Sequence, residues 1–106
     1  MITVPNVAEV TSLDSLDIEV TLERVHAEIL RQDQLARAGK FGGTHILPSG
    51  PDHARLAVLT EEVGEVAREL NEALIKGELD RDALVSELVQ TAACAVAWAT
   101  ALGVSR

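Results

Sequence analysis

The stretch Leu59–Leu74 constrains the fold most strongly, because its apolar residues repeat with the period of an α-helix. At about 100° per residue, its leucines and valines fall on one face together with Leu56. A row of acids follows the edge of that face: Glu62, Glu65, Glu69 and Glu72. Carboxylates beside a packed face are half buried, and like charges held there need protons, bases or a metal ion. We therefore predict a packed helix whose acids require a neutralising partner.

The composition favours close-packed helices over a sheet. Hydrophobic residues make up 47% of the 106 residues, yet there is one Phe, one Trp and no Tyr, so the core must be aliphatic. A net charge of −8 argues against non-specific nucleic-acid binding, which needs a basic footprint, and suits a protein that concentrates cations. Cys94 is the only cysteine, which excludes an intramolecular disulfide and a cysteine-based zinc site.

Capping and stop signals predict three helices in one small domain. The first begins at Asp14 or Ser15 and ends near Gly39, the second runs from Pro51 to about Lys76, and the third follows Asp80 as N-cap and ends at Gly103. Residues 1–13 are predicted to form an irregular arm and residues 14–106 a single helical domain. The glycine-rich segment 39–50 is the one substantial loop, and it carries candidate binding residues.

The third predicted helix is apolar almost all round from Ala92 to Leu102. Such a helix is buried on all sides, and three helices of one small chain cannot surround one of their own members. We therefore expect a homodimer or homotetramer in which a partner chain covers this helix. The N-terminus lacks a signal-peptide pattern, and the apolar run Thr91–Val104 is too short to span a bilayer. These features predict a cytoplasmic protein without membrane contact.

Two pairs of polar residues, each with a spacing of three, form the candidate site. Glu62 and Glu65 lie in the middle of the second helix, and Glu87 and Gln90 lie on the third. The short connection makes these helices antiparallel neighbours, so the two pairs can face each other. Carboxylate and carboxamide oxygens are hard donors that suit Mg²⁺ or Mn²⁺.

An alternative interpretation is a solvated acidic face with Arg55 and Arg68 as partners. Glu87 argues against it, because this acid is flanked by apolar residues on both sides. The flanking residues are Leu84, Val85, Leu88 and Val89.

The acidic pattern resembles the EExxE and ExxD signature of the MazG-type all-α nucleotide pyrophosphohydrolases. The first part is complete as EEVGE from Glu61 to Glu65, and the second is ELVQ from Glu87 to Gln90, with glutamine in place of the usual aspartate. Phage-type and actinobacterial members are similar in three further segments, namely RQD at 31–33, KFG at 40–42 and ELVQTAACAVAW at 87–98. The resemblance covers about Leu22 to Leu102.

The resemblance implies an antiparallel bundle of three helices, completed by homo-oligomerisation, that cleaves a nucleoside triphosphate into monophosphate and pyrophosphate. It implies Mg²⁺ or Mn²⁺ held by Glu62, Glu65 and Glu87, with Gln90 in the place of the fourth ligand. Glu61 would lie behind these ligands or position the attacking water. The expected nucleotide contacts are Arg31 and Lys40 on the phosphates, Phe41 stacked on the base, and His45.

Gln90 leaves an alternative function open. A carboxamide oxygen ligates Mg²⁺ without contributing charge, so the metal affinity of the site should fall. The alternative is therefore a catalytically degenerate relative, which assembles through its helices or binds nucleotide without turnover.

Overall fold

The computed structural model describes residues 12–39 and 51–104, of which nearly all are helical. Helix α1 spans Ser15–Arg37, α2 spans Asp52–Lys76 and α3 spans Arg81–Val104. No strand occurs in these ranges, so the predicted all-α class is confirmed. The predictions for residues 1–11 of the arm, and for Lys40, Phe41 and His45, lie outside the described residues.

Two aspartates begin helices as predicted. The backbone N–H of Leu16 donates to Oδ1 of Asp14 at 2.7 Å, and that of Ala83 donates to Oδ1 of Asp80 at 3.0 Å. Each bond satisfies an N–H group that has no partner within its own helix. The beginnings of α1 and α3 are thus determined by local sequence.

Of the two predicted ends of α2, the C-terminal one is confirmed and the N-terminal one is wrong. Gly77 ends the helix with φ 78° and donates its N–H to the carbonyl oxygen of Ala73 at 2.9 Å, as a glycine stop should. Pro51 was predicted as the first helical residue, but it occupies the N-cap position with an extended backbone (ψ 148°), and the helix begins at Asp52. The predicted start is therefore wrong by one residue.

Helix α3 packs against both other helices. No Cα atom of α1 comes within 8 Å of one in α2, so α3 is the element that joins them. The indole Nε1 of Trp98 donates to Oδ1 of Asp52 at 2.9 Å, which fixes the late part of α3 beside the start of α2. The link 77–80 joins the end of α2 to the start of α3, while the bond from Trp98 holds the late part of α3 beside the start of α2. The two helices therefore run antiparallel.

The contact between α1 and α3 is apolar. Val25 packs with Val89 and the fully buried Ala93, and Ile29 and Ala92 pack against this cluster. Small side chains on α3 allow the two helices to approach closely. This cluster is the hydrophobic core that the described helices form.

Helix α2 turns a different face to α3 from the one that its apolar stripe predicts. Arg55 and Ala73 are buried, and Glu62 lies half buried between them. Two members of the stripe, Leu59 and Val66, are also half buried. The others are exposed, namely Leu56, Val63, Leu70 and Leu74. Glu62 therefore lies at the border with α3, and four of the six residues of the apolar stripe are uncovered in the single chain.

Helix α3 is also only partly covered. Its buried residues face α1 or α2 and include Val89, Ala93, Cys94 and Ala101. Its exposed apolar side chains are Val85, Leu88, Val96 and Leu102. The chain by itself does not bury this helix on all sides, and coverage by a partner chain stays a prediction.

Residues 81–103 of α3 are long and apolar enough to cross a membrane, a property that they share with the core helices of soluble proteins. The expected cytoplasmic location stays a prediction.

Candidate active site

Two carboxylates from different helices face each other across the contact between α2 and α3. Glu62 and Glu87 each have a buried Oε2 atom without a hydrogen-bond partner in the described ranges. The two side chains are near enough to repel each other electrostatically. A buried oxygen without a donor costs folding free energy, so this pair offers two acceptors to an external donor or cation.

The pKa of Glu62 is raised above its ordinary value. Burial is the largest cause, because it disfavours the charged form, and repulsion from other carboxylates adds to it. The contributing acids, in decreasing order, are Glu87, Glu65, Glu61 and Glu28. Glu62 is therefore the centre of an acid cluster to which all three helices contribute.

The outer part of the acid row is neutralised by bases on its own helix. Arg68 contacts Oε2 of Glu65 at 3.3 Å and Oε1 of Glu72 at 3.4 Å. Lys76 also contacts Glu72, at 3.8 Å. The alternative of a solvated acidic face thus describes the side of α2 around Arg68, whereas Glu62 lies on the side that packs against α3.

Arg55 is buried and is therefore not part of a solvated face. It is 7% exposed, and burial lowers the pKa of its guanidinium, against an opposing effect of the nearby Cys94. The pKa of the Cys94 thiol is raised by burial and then by Glu62, against a smaller lowering effect of Arg55. Arg55 lies seven residues before Glu62, a spacing that places both on one face of α2. The sequence therefore contained the information that Arg55 and Glu62 share a helix face.

Glu28 on α1 is a member of the cluster that the sequence interpretation missed. Its carboxylate accepts hydrogen bonds from Nε and Nη2 of Arg31, at 2.8 and 2.6 Å, and from Nε2 of Gln32 at 2.9 Å. These bonds, above all those from Arg31, lower the pKa of Glu28 although burial opposes them. The spacings of three and four were visible in the sequence, but the proximity of Glu28 to Glu62 depends on tertiary packing.

Gln90 lines a groove of about 240 Å³ between α1 and α3. Arg31 lines the same groove, and no residue of α2 does. The structure therefore brings together two predicted site residues, Gln90 and Arg31, on the side of α3 that faces α1. Glu87 lies one turn before Gln90 and interacts with Glu62 of α2.

Within residues 12–39 and 51–104, no group of three or more His, Cys, Asp or Glu side chains is arranged to hold a metal ion. The predicted ligands Glu62, Glu65 and Glu87 are therefore not a preformed set. The two unpartnered oxygens of Glu62 and Glu87 fit a hard cation in chemistry and in charge. A third carboxylate would have to reach them by side-chain rotation, for which Glu65, one turn from Glu62, is placed.

No family model, curated protein or solved structure matches this chain. The resemblance to the MazG-type pyrophosphohydrolases therefore rests on the acidic pattern and its flanking segments, and it stays a prediction. The function has to be argued from the site itself.

Proposed function

We propose that this chain is a metal-dependent, MazG-like pyrophosphohydrolase that cleaves a nucleoside triphosphate between its α- and β-phosphates. The observation that carries the proposal is the pair of buried, unpartnered oxygens on Glu62 and Glu87. Two buried carboxylate oxygens that lack a hydrogen bond in the described ranges are expensive for a small domain, and a divalent cation is a species that would stabilise them. The products would be a monophosphate and pyrophosphate.

In this proposal Glu62, Glu65 and Glu87 hold Mg²⁺ or Mn²⁺. The Gln90 carbonyl would be a neutral fourth donor, for which its side chain would have to turn out of the groove between α1 and α3. Such an ion, when bound, neutralises phosphate charge and lowers the pKa of a bound water. Glu61 is exposed next to Glu62 and would orient the attacking water. Ligation by Glu65 would require its carboxylate to leave Arg68, whose contact at 3.3 Å is exposed and weak.

Arg31 is the described residue proposed to meet the phosphates. Two hydrogen bonds to Glu28 hold its guanidinium in position. Arg31 and Glu28 both line the groove that Gln90 also lines. A planar, forked donor of this kind binds phosphate oxygens in pairs. Lys40, Phe41 and His45 complete the proposed nucleotide contacts from the loop.

The test is pyrophosphate release from a panel of nucleoside triphosphates with Mg²⁺ or Mn²⁺. Wild type and the Glu62→Gln and Gln90→Asp variants are assayed together. The proposal predicts metal-dependent turnover in wild type that Glu62→Gln abolishes. No turnover of any nucleotide by wild type, with either metal, would contradict it.

A second candidate function is a degenerate relative that assembles through its helices, or binds nucleotide, without turnover. It is favoured by the absence of a preformed metal-ligand group in the described part of the chain. The same assay separates the candidates, because only a degenerate site would be inactive as wild type and gain turnover in Gln90→Asp. That substitution restores the charge of the fourth donor.

Self-association is part of both candidate functions. The exposed apolar residues on α2 and α3 are those that a second copy of the chain would cover, and Leu56, Val63 and Leu88 are examples. Each is roughly half exposed in the single chain, and exposed apolar side chains in such number are typical of interfaces. We propose a homodimer or homotetramer that is cytoplasmic and binds neither membranes nor nucleic acids.

A further inference from the structure

The groove between α1 and α3 contains a second arginine that the proposed function does not use. Arg24 lies two turns before Arg31 on the same face of α1, and both side chains line the groove. Glu28 stands between them in sequence, four residues after Arg24 and three before Arg31. At these spacings the single carboxylate is within reach of either arginine.

The carboxylate of Glu28 is fully engaged by its C-terminal neighbours. Oε1 accepts from Nε of Arg31, and Oε2 accepts from Nη2 of Arg31 and from Gln32. Within the described part of the chain, Arg24 makes neither an ion pair nor a side-chain hydrogen bond. Among the side chains that line the groove, two guanidinium groups and one carboxylate give an excess of one positive charge, although the whole chain carries −8.

The opposite wall of the groove supplies neutral donors. The hydroxyl of Ser86 and the amide of Gln90 line it from α3, and neither has a side-chain hydrogen bond to another described residue. Ala27 and Val89 also line the groove and are apolar. Guanidinium groups combined with hydroxyl and amide donors form an arrangement that binds a multiply charged oxyanion.

We propose that this groove is a phosphate-binding subsite in which Arg24 is the principal cation. Arg31, Ser86 and Gln90 would donate to the same phosphate. The choice of phosphate, rather than another oxyanion, rests on the proposed nucleotide function, while the positive groove itself rests on the geometry. Binding here needs neither a metal nor turnover.

The experiment measures the affinity of the full chain for inorganic pyrophosphate by isothermal titration calorimetry, in EDTA and at low salt. Wild type is compared with Arg24→Gln and with Arg81→Gln, which removes the same charge from an exposed position at the start of α3. Loss of one charge-assisted contact should weaken binding by about tenfold in Arg24→Gln. Arg81→Gln should stay within about twofold of wild type. Circular dichroism of each variant checks that the helices are intact.

Three results would overturn the subsite. They are no pyrophosphate binding by wild type, equal weakening by both variants, and binding of malonate as tight as that of pyrophosphate. Equal weakening would mean that overall charge alone attracts the anion. Failure of the subsite is distinguishable from failure of the proposed function, because pyrophosphate binding without metal is measured separately from hydrolysis. An affinity of Arg24→Gln equal to that of wild type would likewise overturn the subsite, whether or not turnover survives.

Discussion

Helix α3 makes two contacts of opposite electrostatic character. Against α1 it packs Val89 and Ala93 on Val25, and the acid beside this contact, Glu28, has its pKa lowered by Arg31. Against α2 it places acids opposite each other, and the pKa of Glu62 is raised by burial and by neighbouring carboxylates. The same residue type is therefore stabilised in its charged form on one side and destabilised on the other.

The two contacts therefore differ in how well their acids are satisfied. Glu28 has local cationic and amide donors, so its charge is satisfied within one helix. The buried oxygens of Glu62 and Glu87 have no donor in the described ranges, so packing α2 on α3 leaves them unsatisfied. A small domain has little stability to spare, which makes an external partner the simplest explanation for these acids.

The largest expected effect is on catalysis at the contact between α2 and α3. Glu62→Gln keeps the shape of the side chain but removes a charged ligand, so pyrophosphate release should fall at least about a hundredfold, or about 2.7 kcal/mol in barrier height. Glu69→Gln makes the same change two turns along α2 and should stay within about threefold of wild type. Steady-state assays with Mg²⁺ measure both. Equal losses in the two variants would mean that the site does not distinguish Glu62 from the rest of the acid row.

The next largest effect concerns the side of α3 that neither contact covers. Leu88 is 49% exposed in the single chain, so Leu88→Glu should leave the monomer folded but place an unpaired charge in the predicted interface. Self-association should weaken by about 2 kcal/mol, or roughly thirtyfold. Sedimentation equilibrium measures this, with Gln34→Glu, which adds the same charge at an exposed position of α1, as the control. A wild-type protein that stays monomeric at high concentration would rule out the oligomer.

A smaller effect tests whether the contact between α1 and α3 is the structural one. Val89→Ala removes two methyl groups from the core cluster and should lower the free energy of unfolding by about 1.5 kcal/mol. Val20→Ala on α1 removes the same groups from a side chain that is 57% exposed, and it should cost less than about 0.5 kcal/mol. Urea denaturation at low protein concentration measures both changes. Similar losses would show that the cluster around Val89 is not the core.

The smallest effects have opposite signs at the two contacts and follow from the pKa directions. The folded-state pKa of Glu62 lies above 4.5, so its ionised form destabilises the fold at pH 7.5, and this cost disappears as the pH falls below 4.5. Glu62→Gln should therefore stabilise the metal-free protein at pH 7.5 by less than about 1 kcal/mol.

For Glu28 the sign is reversed. Its folded-state pKa lies below 4.5, so its stabilising effect is present above that pH and is lost as the pH falls through the folded-state value. Glu28→Gln should destabilise at pH 7.5 by less than about 1 kcal/mol and have little effect in strong acid. Urea denaturation in EDTA, at pH 7.5 and in strong acid, measures the free energy of unfolding of each variant. Changes of the same sign for Glu28→Gln and Glu62→Gln at pH 7.5 would contradict the electrostatic contrast.

Much of the fold could be predicted from local signals. Asp14, Asp80 and Gly77 mark helix ends because capping depends on a few neighbouring residues, and all three act as predicted. Pro51 was placed one residue too far into α2, since proline is compatible with both the N-cap and the first helical position. The facing pair Glu62 and Glu87 was predicted from helix spacing and antiparallel order, and their electrostatic interaction agrees with it.

Other parts of the candidate site could not be predicted from spacing. The rotation of α2 exposes Leu56 and Val63 and buries Arg55, although the apolar stripe favours the reverse. The contribution of Glu28 to the cluster, and the groove that joins Arg24 to Gln90, require α1 to lie against a specific side of α3. Rotation about a helix axis is determined by packing against other helices, which the periodicity of a single helix does not specify.

The sequence by itself determined that the described residues are helical, where most of the helices begin and end, and that acids accumulate along α2. Those properties depend on interactions within a few residues of each other. Glu28, Glu65 and Glu72 lie beside bases of their own helices, at spacings that the sequence already contains. Only the tertiary structure decided that Glu62 is half buried and faces Glu87 of another helix. The charge state of a carboxylate depends on burial and on groups from other helices, so the contrast between the two contacts of α3 emerges only when the helices pack.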